Sequence, residues 1–413
     1  MHSRRVALRA TVFVTPLLLG ALAVPSGGLF RTRKYRDLHL YQHYGDALLH
    51  GHVPYRDFFV EYPPGAIPLF TSASIFPGGW YDAVFKVLMA LCCVGAIWCV
   101  TYVLARQGAT SLGIWSAALF LALVPIALGP VSLNTYDAWP ALLTVAAVAS
   151  LVSGRPQLGL ALLGVAAAAK LYALLLVPAA LVWLWRERRA VLGPLAAFVG
   201  AAAVFVVPWL AFSPGGVWHS IHSQVARGLH TESLGASVLL VADRLGWYHA
   251  RVVATAPAIS RDLAGGLPHG IAAASAGVAV AAALVPALLV RRRGLGVAFA
   301  ASVAGFLAFT KVLSPQYVVW LIPLVPFGGP FAAALLIAAL ALAQSWYFHY
   351  HELWADGPQA WTLLARNLVL VALYAFLLWK TRMPSSSKTS RQSGLFLNLT
   401  RSTAEGSGAT RSA

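Results

Sequence analysis

Between Arg31 and Phe70 the chain reads RTRKYRDLHLYQHYGDALLHGHVPYRDFFVEYPPGAIPLF, the densest run of polar side chains in an otherwise apolar sequence. It carries the carboxylates Asp37, Asp46, Asp57 and Glu61, the histidines His39, His43, His50 and His52, and the cations Arg31, Arg33, Lys34, Arg36 and Arg56. A carboxylate beside cations suits group transfer at a membrane surface, where an acceptor hydroxyl must lose a proton and an anionic leaving group must be stabilised. Interfacial ion pairs and lipid-headgroup contacts use the same residue types, so the segment alone leaves both readings open. His39 and His43 lie four apart, with Asp46 three further on, which would put them on one helix face within reach of a divalent metal. That spacing is weak evidence, because histidine is a common edge residue of interfacial helices, and no metal or cofactor is expected.

Leu38, Tyr41, Ala47 and Leu48 predict an interfacial helix from Asp37 to His50, ended by Gly51. Pro63 and Pro64 stop any helix from running back through Glu61. The rest of the 413 residues set the medium: 59% are hydrophobic, only 10% charged, and the mean hydropathy is +0.73. Soluble domains carry about 25% charge, so this is an integral membrane protein. Its apolar runs are long rather than short and alternating, which indicates a helical bundle and not a barrel. A soluble nucleic-acid binder is excluded despite the net charge of +17. Cys92, Cys93 and Cys99 share one apolar segment and read as small core hydrophobes. Arg4 to Val24 resembles a signal peptide without a clean cleavage site, and is read as an uncleaved first helix.

Apolar spans predict helices near 6–25, 80–104, 112–129, 137–152, 190–212, 271–290, 295–310, 330–347 and 361–379. Leu158 to Trp185 lies between two basic breaks and is too short for two full spans, so it is expected to form a shallow hairpin bent near Lys170. Val318 to Phe327 is expected to make a short, proline-broken crossing. The total is about 12 helices with both termini in the cytoplasm. On that reading 17 of the 30 Lys and Arg residues face the cytoplasm, with only Glu187 and Glu405 of the 13 carboxylates, as the positive-inside rule requires. Residues 1–382 form the polytopic domain, with a first outer loop at 31–70 and a second large outer segment at 213–268. The Ser-, Thr- and Arg-rich tail 383–413 reads as disordered, which puts its Asn398 sequon on the wrong side to matter.

Intramembrane and outer-edge polar residues supply the remaining candidates. Lys170 either snorkels to an interface or meets an anion. Lys311, before Ser314-Pro315-Gln316-Tyr317, is either an anchor or, with Gln316 and Tyr317, part of a phosphate or sugar site. Glu61 could hold a sugar hydroxyl, position Asp37 or pair with Arg56. Glu232, with His230 and Arg227, has little reason to be acidic other than substrate contact. Asp137 at a helix start is explained equally by capping of the helix dipole.

Taken together, Asp37, Tyr41, the turn from Gly51 to Tyr55 and the EYPP box at Glu61–Pro64 resemble the GT-C membrane glycosyltransferases, especially glycosyltransferase family 87. NTYDAWPALL at 134–143, AAAKLYALLLVP at 167–178, RGLHTESLGAS at 227–237 and KVLSPQYVVWLIP at 311–323 are similar to boxes of the same group. The resemblance implies an all-α polytopic GT-C-type bundle with a functional first outer loop. It further implies transfer of a sugar, mannose in the first instance, from a polyprenyl-phosphate donor to an extracytoplasmic glycolipid or polysaccharide acceptor, with inversion. Asp37 matches the family's catalytic carboxylate, as general base. Arg36, Lys170 and Lys311 become candidates for the phosphate, and Tyr41, Glu61, Tyr62, His230, Glu232, Gln316 and Tyr317 for other substrate contacts. The main rival is a transporter or lipid flippase, but no internal repeat is evident and the carboxylates cluster in one outer loop. A catalytically dead scaffold would require Asp37 to be dispensable, and no cytoplasmic break is large enough for a nucleotide-sugar domain.

Overall fold

The structure is a computed structural model that describes residues 2–26, 37–76, 79–255, 260–347 and 358–383. The chain divides into two units, 1–381 and 382–413, and the fold described below is that of the first. Arg31, Arg33, Lys34 and Arg36, and the tail from residue 384, lie outside the described residues.

The first half runs through α1 (His2–Ser26), α2 (Asp37–Leu49), α3 (Ile67–Ser74), α4 (Tyr81–Arg106), α5 (Ser111–Leu128), the single turn α6 (Val131–Asn134), α7 (Ala138–Val152), α8 (Pro156–Ala169) and α9 (Val177–Arg186). There follow α10 (Leu192–Phe212), α11 (Pro214–Val225), β1 (Leu229–His230), α12 (Leu234–Arg244), β2 (Val252–Thr255), β3 (Ser260–Leu263), α13 (Gly266–Leu289), α14 (Leu295–Phe309), α15 (Pro330–Tyr347) and α16 (Gln359–Arg382). The helices expected from apolar spans all form close to their expected bounds. Among the described residues six helices are long and apolar enough to cross a bilayer: α1, α4, α5, α10, α13 and α16. The protein is therefore an all-α membrane protein in its bulk, with shorter apolar helices packed among the long ones.

The core lies around α7, α8 and α14. In α14 every residue from Phe299 to Gly305 is buried, and α7 buries ten residues on all sides. A helix apolar all round must be surrounded by apolar matter, whether protein or lipid. The equally apolar α10 takes the second course: it packs against α8 and buries only Pro194.

Two segments are not regular helix. Val318–Phe327 forms no continuous helix; it lies within two 3-10 turns, Pro315–Trp320 and Val325–Gly328, joined by a turn. Pro315, Pro323 and Pro326 explain the break, since each lacks the amide that a helix needs. All residues from Val318 to Gly328 are buried, which is the condition under which irregular backbone is tolerated at membrane depth. Segment 213–268 is not purely helical, because it contains a small antiparallel sheet of order β1-β3-β2, pairing His230 with Asp262 and Val253 with Asp262.

The basic breaks gather at one end of the bundle. The Arg4 guanidinium lies 5.7 Å from the Tyr102 ring centroid, and Ser153 donates to the Tyr102 hydroxyl at 3.0 Å. Gln107 donates to the Arg293 carbonyl, and the Trp183 indole to the Arg292 carbonyl.

Candidate active site

Asp37 opens α2, where a carboxylate suits the positive end of the helix dipole. Gly51, at φ +87°, lets the chain turn out of that helix, a conformation that costs glycine little. The loop then returns through Tyr55, held at φ +69°. Its hydroxyl donates to the Tyr62 carbonyl at 2.7 Å, and its carbonyl accepts from Ser213 at 3.0 Å. Asp57 accepts the Val53 amide and pairs with Arg56 at 2.8 Å, and the two interactions hold its carboxyl down at about 2. Arg56 is thus taken by Asp57 and, among the described residues, forms no ion pair with Glu61, which removes one of the three readings of Glu61. Next, Pro63 and Pro64 enter a 3-10 turn whose Gly65 lies against the end of α8. A Cβ on Gly65 would sit 2.6 Å from the Ala168 carbonyl carbon. This close approach brings the EYPP box beside Lys170.

Lys170 does not snorkel. It is 9% exposed, its backbone is extended between α8 and the 3-10 turn Leu171–Leu176, and its ammonium lies 3.0 Å from Oδ1 of the fully buried Asp137. The same oxygen accepts from the Trp320 indole at 2.6 Å. Asp137 occupies the N-cap position of α7 but caps no amide with its side chain, so ion pairing and not dipole capping accounts for it. Four rings surround the ammonium: Tyr136 at 4.3 Å, Tyr62 at 5.3 Å, Trp320 at 5.5 Å and Tyr317 at 5.7 Å to their centroids. Ring faces attract cations, so the pair is held by both kinds of contact. Trp320 is itself sandwiched between Tyr172 and Tyr317, at centroid distances of 4.3 and 4.5 Å.

Asp37 feels this centre directly. Its pKa is pushed up to about 6, first by burial, then by the negative charges of Asp137 and Glu61. Lys170 and the nearby Tyr41 phenol act in the opposite sense. Tyr41, expected to touch substrate, is instead fully buried, stacked on Phe70 at 4.4 Å and edged by Phe85, Tyr62 and Tyr136. Its hydroxyl makes no hydrogen bond of good geometry among the described residues. Tyr41 therefore seats Asp37 from below rather than lining an open surface, and Tyr62 serves as a wall of the Lys170 cage.

A polar rim lies above. The Gln224 amide donates to the Glu61 carbonyl at 3.0 Å and approaches its carboxylate at 3.5 Å, while Arg227 reaches Gln224 at 3.5 Å. Lys311 donates to the Val225 carbonyl at the C-terminal end of α11 at 2.8 Å. Burial lowers its pKa, and Asp262 partly offsets this. Gln316 is partly exposed, and Tyr317 joins the Lys311 loop to the cage.

His230 and Glu232 belong to a second buried network that joins the rim at Lys311. The His230 amide donates to the Lys311 carbonyl, and burial drives the His230 pKa down despite the neighbouring Asp262. The Glu232 carbonyl accepts from Arg366 at 2.9 Å and Asn367 at 3.3 Å, and its carboxylate lies 3.9 Å from Arg366. The acidity that substrate contact was expected to explain thus has an internal counterion on α16. Among the described residues no three His, Cys, Asp or Glu side chains converge in a metal-holding group, including around His39 and His43.

The centre is thus a titratable carboxylate above a buried ion pair, with a cation and amide donors at its rim and aromatic walls. Glycosyltransferase family 87 matches residues 59–315, more than half of the chain. The chain belongs to glycosyltransferase family 87. No curated protein matches it. The match takes in Glu61, Asp137, Lys170, Gln224 and Lys311 of this transferase; Asp37 precedes it, and Tyr317 and Trp320 follow it.

Sequence reasoning on this transferase missed Gln224, Trp320 and the Arg366–Asn367 pair, and did not join Asp137 to Lys170. A signal for the last was present. A lysine inside an apolar segment requires a counterion, and Asp137 is the carboxylate that opens the preceding apolar helix.

Proposed function

We propose that this glycosyltransferase moves a sugar, in the first instance mannose, from a polyprenyl-phosphate donor to a hydroxyl of an extracytoplasmic glycolipid or polysaccharide. The observation that carries this reading is Asp37, a part-buried carboxylate with a pKa of about 6 beside the Lys170–Asp137 centre. At neutral pH such a group is mostly ionised yet more basic than a free carboxylate, the compromise a general base requires. Asp37 takes the acceptor proton as the acceptor oxygen attacks the anomeric carbon. The bond to the phosphate oxygen breaks on the opposite face, so the configuration inverts and the lipid phosphate departs as an anion. Because its pKa lies below 7, Asp37 then returns the proton to water.

The departing phosphate needs donors. Lys170 is already neutralised by Asp137, which leaves Lys311 as the better-suited described cation, with Arg227 and Gln224 beside it. We read the basic end and both termini as cytoplasmic and the site as extracytoplasmic, in a topology of about 12 crossings, a reading that the charge asymmetry of the bundle supports.

The test is transfer from radiolabelled polyprenyl-phosphate mannose to endogenous lipids and polysaccharides in membranes holding equal amounts of wild type or Asp37→Asn. A product formed by the wild type alone supports both the donor and the base. Equal product from both removes Asp37 from the mechanism, and no product from either removes this donor.

A further inference from the structure

We propose that the basic end of the bundle, opposite the candidate active site, carries a site for the phosphodiester headgroup of an anionic phospholipid, formed by Arg188 and Arg291 beside Trp185. An open cavity of about 600 Å³ lies there, lined by Trp185, Arg186, Arg188, Arg291 and Arg292. Two of its four guanidiniums are spent within the protein. Arg186 donates to the Leu288 and Val290 carbonyls, capping the end of α13, and Arg292 lies 3.6 Å from the Glu187 carboxylate. Arg188 and Arg291 are exposed, and neither has an ion-pair partner among the described residues. The Arg186 clamp holds the two loops that carry them together, so the pair of charges is built into the fold.

The backbone at Arg188 adds a second observation. Its φ is +55°, with its amide donating to the Trp185 carbonyl and that of Arg189 to the Leu184 carbonyl. This is the left-handed residue that ends α9, where glycine or asparagine is the low-cost occupant. An arginine is held there instead, in a conformation that disfavours it.

The surroundings indicate a lipid and not a free anion. Trp185 is 70% exposed, Leu288 71% and Leu192 78%, at the ends of α9, α13 and α10. An exposed tryptophan at a helix end sits at headgroup level, and the exposed leucines offer the acyl chains an apolar path. Two guanidiniums without an ion-pair partner among the described residues, beside a Glu187 that pairs with Arg292, favour a headgroup of net negative charge, because the amine of a zwitterionic one would meet cations.

The full chain in detergent, analysed by native mass spectrometry with equal phosphatidylglycerol and phosphatidylcholine, tests this. The wild type is expected to retain phosphatidylglycerol preferentially. Each guanidinium is worth about five-fold in lipid affinity, so Arg188→Asn/Arg291→Gln should lose roughly 25-fold. Asparagine tolerates the left-handed backbone, so this variant is expected to fold. Arg4→Gln/Arg5→Gln, which removes two charges elsewhere, should leave the preference in place. Millimolar inorganic phosphate should not displace the lipid if the apolar rim contributes. Absence of a preference in the wild type, an unchanged preference in Arg188→Asn/Arg291→Gln, an equal loss in the Arg4/Arg5 variant, or displacement by phosphate would each overturn the proposal.

Discussion

Replacing Asp37 by asparagine should stabilise this transferase while abolishing its transfer. In the folded chain Asp37 holds its proton up to about pH 6, against 3.8 for a free aspartate. The folded state therefore binds the proton more tightly than the unfolded state, and stability falls as pH rises from about 4 through 6 before levelling off. The full difference is 1.36 kcal/mol multiplied by 6 minus 3.8, or about 3 kcal/mol. That is an upper bound, because the side chain is partly exposed and its charge also gains about 0.3–1 kcal/mol from the α2 dipole in ways asparagine does not replace. Asparagine keeps the shape and the capacity to accept a backbone amide. The variant should be about 1–2 kcal/mol more stable than wild type at pH 7.5, raising the apparent melting temperature by about 1–2.5 °C. At pH 4 both side chains are neutral and the gain should vanish. Thermal unfolding in non-ionic detergent, followed by tryptophan fluorescence at both pH values, reads this directly. A carboxylate kept for structure would give the opposite sign, so an Asp37→Asn variant that melts below wild type at pH 7.5, or gains equally at pH 4, refutes the reasoning.

The same electrostatics predict that transfer falls away below about pH 6, with Asp137→Asn moving that limb to lower pH and Lys170→Met to higher pH; shifts of one sign in a pH–rate series would contradict the coupling. Lys170→Met strands the buried Asp137 charge and should cost about 3–5 kcal/mol in denaturant unfolding, much of it recovered by adding Asp137→Asn. Lys311→Ala should raise the apparent KM for the lipid donor by about ten-fold or more, the value of a charge-assisted hydrogen bond, and an unchanged KM returns Lys311 to an anchoring role. Gly65→Ala drives a Cβ into the α8 backbone and should cost about 1–3 kcal/mol, measured against Gly20→Ala, where nothing lies within 4 Å.

The elements of this fold were legible because long apolar runs can be little else than helices, and Gly51 marked the C-terminal end of α2. Their surroundings were not legible. Nothing in composition separates α10 from α14, yet one spends its apolar surface on lipid and the other on protein. The strands of segment 213–268 are two to four residues long and too short for any periodicity to register. At the site, each ionisable residue announced itself by its cost in an apolar chain, but its partner lay elsewhere in sequence. Arg56 found Asp57 rather than Glu61, and Glu232 found Arg366, far along on α16. The Lys170–Asp137 pair is the clearest instance. Each residue alone admits a bland reading, snorkelling for one and capping for the other, and only the packing of α7 against α8 rejects both at once. That pairing also decides the chemistry open to the site. With Asp137 holding Lys170, the centre below Asp37 carries a fixed dipole and, among the described residues, no free cation. On the function proposed above, the described cation that can meet a departing phosphate is then Lys311 at the rim, on the C-terminal end of α11. If Lys170 were the phosphate ligand, Lys170→Met/Asp137→Asn, which removes the pair together, would weaken donor binding; with Lys311 as the ligand that double variant leaves donor affinity unchanged.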